Sequence, residues 1–199
     1  MQLLVNLLKT RFTMIKRYSV AIYPSLQVID FIKELKGALK NKIDWYSSCN
    51  SVAHVTICEF EMEELELGKI KQKIFKICDT FTPFQVYFDH FDFYENSGAF
   101  FIAPTEESKN ALLPVMKKVQ ENLKSLKLKK SDDPHISIGR KLTPENIKTA
   151  TELFTTIKIN FFCSEIVLRE LEPHKQFSVI DTFKFGSNPQ PELIQGSLF

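Results

Sequence analysis

Two short stretches of this chain share one pattern: residues 53–60 read AHVTICEF, and residues 134–142 read PHISIGRKL. Each stretch holds a histidine, an aliphatic residue, a hydroxyl residue and an isoleucine, in that order. The β-branched and aromatic content of both favours a strand, and turn-forming or polar residues stand on either side. These two predicted strands decide how the rest of the chain is interpreted.

Side chains alternate between the two faces of a strand. His54 and Thr56 are therefore expected on one face of the first strand, and His135 and Ser137 on one face of the second. The isoleucines and other aliphatic neighbours turn to the opposite face, towards a core. Each strand thus presents an imidazole beside a hydroxyl.

The hydrophobic patterning predicts the same order of elements on both sides of the chain's middle. Ser25, Thr105 and Thr143 are predicted helix N-caps, and Pro114 allows a kink or a break in the third helix. The predicted strands cover residues 17–24, 53–60, 84–94, 99–103, 134–142, 161–171 and 177–185, and the predicted helices cover 25–42, 65–80, 105–126 and 143–157.

Each half thus contributes a helix, a histidine strand, a helix and a strand pair. This order predicts an α+β fold, a duplicated unit whose two antiparallel sheets face each other across a central groove, with helices packed outside. Residues 14–186 are expected to form this single domain. Residues 1–13 are interpreted as an N-terminal appendage and 187–199 as a C-terminal tail.

Composition excludes several classes of protein. Twenty-six basic and 24 acidic side chains leave a formal charge of +2, too little for the basic stripe of a duplex-DNA-binding protein. The four cysteines form no C-x-x-C pair, which argues against structural zinc and against a disulfide framework. No apolar run is long enough to span a membrane. We therefore expect a cytoplasmic protein without a cofactor, a bound metal, a membrane association or an obligate protein partner.

Two imidazoles and two hydroxyls around one groove suit the chemistry of a phosphodiester. A neutral imidazole can take a proton from an attacking group, and an imidazolium can protonate the departing alkoxide. His54 and His135 are the candidate catalytic pair, and either can take either part. The hydroxyls of Thr56 and Ser137 can donate hydrogen bonds to the phosphate oxygens.

At these residues the sequence resembles the 2H (two-histidine) phosphoesterase superfamily, which includes the bacterial 2′-5′ RNA ligases, also called RNA 2′,3′-cyclic phosphodiesterases. The resemblance runs from about residue 15 to 186 and is carried by R-Y-S-V-A-I-Y-P, A-H-V-T-I and P-H-I-S-I-G-R. It implies a bilobal fold with a pseudo-two-fold axis. It also implies a metal-independent site that acts on 2′,3′-cyclic phosphates or 2′-5′ linkages at RNA or nucleotide ends. Ser137 stands where threonine is commoner.

Other residues near the motifs are candidates for substrate contacts. Arg140 can neutralise phosphate, although an unbroken strand would point it away from the groove and only a bulge or the strand's end would bring it back. Tyr23 and Trp45 can stack on a base, with packing in the core or at its rim as the alternative. Cys58 is expected on the same face as His54, either lining the site or filling the core.

His90 and His174 lack a following hydroxyl and are interpreted as surface or structural residues. The lysine-rich run at 124–130 is interpreted as a solvated helix end, with RNA contact as the alternative. For the whole chain, two functional alternatives stay open. The same site can join RNA ends in the reverse reaction, or the groove can hold RNA or a nucleotide without catalysis.

Overall fold

The structure is a computed structural model that describes residues 14–172 and 176–186. The predicted appendage and tail, and His174, lie outside the described residues. The helices are α1 (Leu26–Ile43), α2 (Leu67–Cys78), α3 (Glu106–Asn122) and α4 (Pro144–Leu153). The strands are β1 (Ile15–Ile22), β2 (Val55–Glu63), β3 (Phe84–Tyr94), β4 (Ala99–Pro104), β5 (Lys129–Lys130), β6 (Ile136–Gly139), β7 (Ile159–Cys163), β8 (Glu165–Leu171) and β9 (Phe177–Lys184).

The predicted helix starts are confirmed by their capping hydrogen bonds. The side-chain oxygens of Ser25, Thr105 and Thr143 each accept from the backbone N–H three residues on, at 3.5, 3.2 and 3.2 Å. Such caps satisfy backbone donors that the first helical turn leaves free. The third helix runs through Pro114 as one α-helix.

The strands form one nine-stranded antiparallel sheet in the order β7-β3-β4-β6-β2-β1-β8-β9, with β5 paired to β2. The α+β class is confirmed. The two predicted sheets are halves of this sheet, and they meet where β6 pairs with β2. That the halves are copies of one unit stays a prediction.

The apolar core lies between the helices and one face of the sheet. Val55 and Ile136 belong to it, together with Ile32 of α1 and Met116 of α3. The opposite sheet face carries the alternate residues of the same strands, including the buried Ser19 of β1. The core thus fixes which face of the sheet is left for function.

One predicted strand, 161–171, is two strands in the structure. β7 ends at Cys163 and pairs with β3 in one half of the sheet, whereas β8 begins at Glu165 and pairs with β1 in the other half. The chain crosses from one half of the sheet to the other at Ser164. No glycine or proline marks this crossing, and the sequences of β7 and β8 both favour a strand. Hydrophobic patterning therefore could not locate the crossing.

The structure confirms one of the two alternatives for Cys58, a place in the core, and a β-bulge corrects the face on which strand alternation puts it. The pairing of β2 with β1 passes from Thr56 to Cys58, so Ile57 is an extra residue in β2. An extra residue reverses the alternation beyond it. Cys58 is consequently fully buried in the core instead of sharing the face of His54, and Glu59 takes the functional face.

Candidate functional site

The two motif strands meet at one residue pair, Val55 of β2 opposite Ile136 of β6. Both side chains are fully buried in the helix-covered core. The neighbours of Val55 and Ile136 in sequence point to the other face of the sheet. In an antiparallel register with this pair, Thr56 lies across from His135, and His54 lies across from Ser137. The structure therefore brings the four motif residues together on one face.

Each histidine ring is held by a backbone carbonyl two residues earlier. His54 Nδ1 lies 2.7 Å from the carbonyl oxygen of Val52, and His135 Nδ1 lies 3.0 Å from that of Asp133. A carbonyl only accepts hydrogen bonds, so Nδ1 carries the hydrogen in both rings and Nε2 of the neutral ring is an acceptor. Neither Nε2 is hydrogen-bonded within the described part of the chain. Both nitrogens are therefore available to a ligand.

The two hydroxyls are likewise free for a ligand. Thr56 and Ser137 are half-buried, and neither side chain makes a hydrogen bond to any of the described residues. A hydroxyl can donate one hydrogen bond and accept others. The four motif side chains thus offer two proton-transfer nitrogens and two hydrogen-bond donors.

The two histidines differ in their electrostatic surroundings. Burial lowers the pKa of His54 well below its ordinary value, and the cations Arg169, Lys36 and Arg140 lower it further. Burial also lowers the pKa of His135, but Asp133 opposes this through its carbonyl and its carboxylate, which lies 4.0 Å from Nδ1. A nearby carboxylate therefore favours the protonated form of His135, whereas the charged groups that act on His54 are cations.

Asp133 is part of a network that sequence reasoning missed. Its carboxylate accepts a hydrogen bond from the Tyr94 hydroxyl and pairs with Lys109 at 2.8 Å. The ring centroid of His135 lies 4.7 Å from that of Phe101 and 6.1 Å from that of Tyr94, whose ring is nearly perpendicular to it. These contacts fix both the ring of His135 and the carbonyl that orients it. Because they join segments distant in sequence, no local pattern indicates them.

Beside His54 lies a cavity of about 180 Å³, which Arg140 and Arg169 also line together with Glu59, Ser51 and Phe177. Arg169 was not predicted, although an arginine inside the apolar strand IVLREL is unusual and is a usable signal. Tyr23, a predicted contact, is half-buried, and its ring lies 6.3 Å from that of His54. Arg169 and Tyr23 therefore surround the first histidine.

Arg140 reaches this cavity because β6 ends just before it, at Gly139. The next residue, Lys141, has a φ of 56°, so the strand alternation no longer applies. The end of the strand thus brings Arg140 to the cavity beside His54, which is one of the two possibilities that the sequence predicts. Its charge lowers the pKa of both His54 and His135.

Lys36 of α1 supports the segment that precedes His54. Its ammonium group is almost fully buried and donates to the carbonyl oxygen of Ser51 at 2.7 Å and to its hydroxyl at 2.8 Å. Burial and the charge of Arg140 lower the pKa of Lys36 to about 8. The segment that carries Val52 and its carbonyl is thereby anchored to α1.

Two other candidates lie apart from the cavity. Trp45 is 69 % exposed and is not among the residues that line it. His90 is exposed on β3 and pairs with Asp89 at 2.6 Å. The lysine-rich run at 124–130 begins in the turn that follows α3, and only its last two residues form a strand, β5, which pairs with β2. Its lysines are exposed, as expected of a solvated segment. Contact with the substrate is one of the two alternatives for Trp45 and stays a prediction.

Two kinds of feature are absent from the described residues. No three histidine, cysteine, aspartate or glutamate side chains lie close enough together to hold a metal ion in the described ranges. None of the helices in the same ranges is long and apolar enough to cross a membrane.

The chain is similar to a known family and to solved structures. The sequence model of the 2′-5′ RNA ligase superfamily matches residues 24–175. Escherichia coli LigT, solved with NADP⁺, is 13% identical with a TM-score of 0.64, covering 87% of this chain and 99% of its own. TT0787 of Thermus thermophilus is 16% identical with a TM-score of 0.65, covering 85% and 98%. Kluyveromyces marxianus Usb1 is 14% identical with a TM-score of 0.53, covering 85% and 98%. No curated protein matches in sequence.

Proposed function

Because this chain belongs to the 2′-5′ RNA ligase superfamily of 2H phosphoesterases, we propose that it opens 2′,3′-cyclic phosphates, or cleaves 2′-5′ bonds, at the ends of RNA or nucleotides. The observation that carries the proposal is the pairing of Val55 with Ile136. It puts on one face two imidazole nitrogens and two hydroxyls that make no hydrogen bond with the described residues. Nucleotide ligands suit such a set of side chains. LigT has been crystallised with 3′-AMP and with NADP⁺.

In the proposed hydrolysis, the cyclic phosphate lies between the Nε2 atoms of His54 and His135. One neutral imidazole takes a proton from a water molecule as the water oxygen bonds to phosphorus. The bond from phosphorus to one ribose oxygen breaks, and the other ring, as an imidazolium, protonates that oxygen. Each proton transfer is typically worth about 10²–10⁴-fold in rate.

The hydroxyls of Thr56 and Ser137 have a separate part in this proposal. They donate hydrogen bonds to the non-bridging phosphate oxygens, which gain negative charge as the water attacks. Arg140, at the rim, adds a positive charge near the same oxygens. No step in this scheme uses a metal ion.

The direct test supplies 2′,3′-cyclic AMP and a cyclic-phosphate-ended oligonucleotide as substrates, with EDTA present. We expect hydrolysis by the wild type and a loss of about 10²–10⁴-fold in kcat for His54→Ala and for His135→Ala. His90→Ala is the matched control, because this exposed histidine pairs with Asp89 away from the cavity. Equal turnover by the wild type and His54→Ala would remove the mechanism.

Ligation by the same site is the second candidate, which the family's name favours. In ligation, a 5′-hydroxyl end replaces water as the attacking group, and the same two rings move the protons. Oligonucleotides with 5′-hydroxyl and cyclic-phosphate ends separate the reactions by product length. Tight binding of these ends with no turnover in either direction would favour a non-catalytic module.

A further inference from the structure

Arg169 is a buried cation whose hydrogen-bonding capacity is largely unused. Its side chain is 3% exposed and donates to the hydroxyl of Ser19 at 2.6 Å. The guanidinium lies 5.1 Å from the ring centroid of Phe177 and 5.9 Å from that of Tyr23. Arginine has five N–H donors, and Nε has no partner among the described residues.

Arg169 forms no ion pair with a carboxylate of the described residues. Burial lowers its pKa, and the nearby charge of Glu59 acts in the opposite direction. None of the ion pairs formed by the described residues includes it, and Glu59, the acidic residue that lines the cavity, pairs with Arg17. Arg140 and Lys36 add positive charge around His54. Burying an unpaired cation is unfavourable, so a cluster of this kind is stabilised by an anion.

A ligand can reach this cluster through the cavity beside His54. Arg140 and Arg169 both line that cavity, which has a volume of about 180 Å³. Phe177 and Tyr23 flank the guanidinium and shield it from water, which strengthens its attraction for an anion. The guanidinium also matches the geometry of phosphate oxygens.

We propose that Arg169, together with Arg140, holds a second phosphate of the substrate, separate from the one that reacts between His54 and His135. This chain then selects substrates that carry a phosphate next to the cyclic phosphate, over a cyclic mononucleotide with a single phosphate. The inference rests on the proposed function, because it takes the two histidines as the place of the reacting phosphate. A purely structural Arg169, which only ties β8 to Ser19, gives no such preference.

Binding of non-cleavable ligands tests the subsite apart from catalysis. Calorimetric titration compares 3′-AMP with adenosine 3′,5′-bisphosphate, which differ by one phosphate. We expect the wild type to bind the bisphosphate about 10- to 100-fold more tightly. Arg169→Met should bring this ratio close to one, and Arg169→Lys should give an intermediate ratio because it keeps the charge but loses the planar fork.

Glu59→Gln is a second variant, in case Arg169→Met does not fold. It is expected to change the ratio of the two affinities in the opposite direction. It removes the carboxylate from the cavity and should raise the preference for the bisphosphate, an effect that a structural Arg169 does not predict. Lys148→Met, on the exposed face of α4, is the control and should keep the wild-type ratio. The subsite would be overturned if the wild type bound the two ligands equally well or bound neither. It would also be overturned if a folded Arg169→Met variant kept the wild-type ratio of affinities.

Kinetics then identify the source of the second phosphate. The ratio kcat/KM is measured for three substrates: 2′,3′-cyclic AMP, its 5′-phosphorylated form and a cyclic-phosphate-ended dinucleotide. A preference for the dinucleotide alone indicates an internal phosphodiester, and a preference for the 5′-phosphate indicates a terminal one. If the bisphosphate is preferred in binding but no substrate is turned over, the proposed function fails and the subsite stands.

Discussion

Val55 and Ile136 face each other across β2 and β6, and within the described residues they are the one pair that joins the two halves of the sheet. Each lies between a histidine and a hydroxyl residue of its own motif. Both are fully buried among the core residues beneath the helices. Core packing on one face of the sheet therefore sets the distance between reactive groups on the other face.

The hydroxyls provide the first prediction. In the proposed reaction Thr56 and Ser137 donate hydrogen bonds to the phosphate. We therefore expect Thr56→Val and Ser137→Ala each to lower kcat/KM for 2′,3′-cyclic AMP by about 10²-fold. Thr56→Ser and Ser137→Thr keep the donor and should stay within a few-fold of the wild type. Thr149→Val, which removes a hydroxyl on the surface of α4, is the control. Equal rates for Thr56→Val and Thr56→Ser would contradict the role.

Alternation along single strands was enough to predict which motif residues share a face, because it is a local property of the backbone. The bulge at Ile57 is local too, but it depends on how β2 fits β1, so Cys58 was placed on the wrong face. The crossing from β7 to β8 at Ser164, the approach of Arg169 to His54 and the contacts of Tyr94 and Lys109 with Asp133 depend on which strands and helices become neighbours. That information lies in the packing of distant segments.

The second prediction concerns Asp133 and the proton affinity of His135. Asp133→Asn removes the carboxylate that lies 4.0 Å from Nδ1 of His135 but leaves the carbonyl that orients the ring. Because that carboxylate favours the protonated ring, the pKa of His135 should fall further below its ordinary value. Titration of the ring protons by NMR measures this shift, with His54 as the internal reference. A midpoint for His135 that is unchanged or higher would rule out this electrostatic link.

The third prediction concerns stability at acidic pH. The pKa of His54 is well below its ordinary value in the folded chain, so the unfolded chain binds a proton more readily. The stability contributed by the neutral ring is therefore complete above about pH 6.5 and is lost as the pH falls below that value. His135, whose pKa is also lowered, adds to the same trend.

Urea unfolding at pH 7.5, 6 and 5 measures this dependence. The unfolding midpoint of the wild type should fall with pH, and that of His54→Gln should fall less steeply, because a glutamine does not titrate. Carboxyl groups that both proteins share contribute equally to the change of the unfolding midpoint with pH, so their contribution cancels when the two proteins are compared. A His54→Gln variant as pH-sensitive as the wild type would contradict the burial of a neutral ring.

The last prediction concerns Gly98, which supports the segment that carries Arg140. Its φ is 63°, and a Cβ there would lie 2.4 Å from the carbonyl oxygen and 2.7 Å from the amide nitrogen of Leu142. These are backbone atoms, so no rotamer change relieves the contact, and the hydrogen bond from Leu142 N–H to the carbonyl of Gly98, at 2.9 Å, must also shift. Gly98→Ala should therefore destabilise the fold and displace Arg140.

The expected loss in Gly98→Ala is more than about 1 kcal/mol in the free energy of unfolding, because backbone strain and the clash add together. Its kcat/KM should fall as well, through the displaced Arg140. Gly37→Ala is the matched control, because Gly37 lies inside α1 with nothing within 4 Å of the added Cβ. This variant should have a free energy of unfolding about 0.5–1 kcal/mol higher than that of the wild type. Urea denaturation measures both variants. A Gly98→Ala variant as stable as Gly37→Ala would show that the turn does not hold this segment in place.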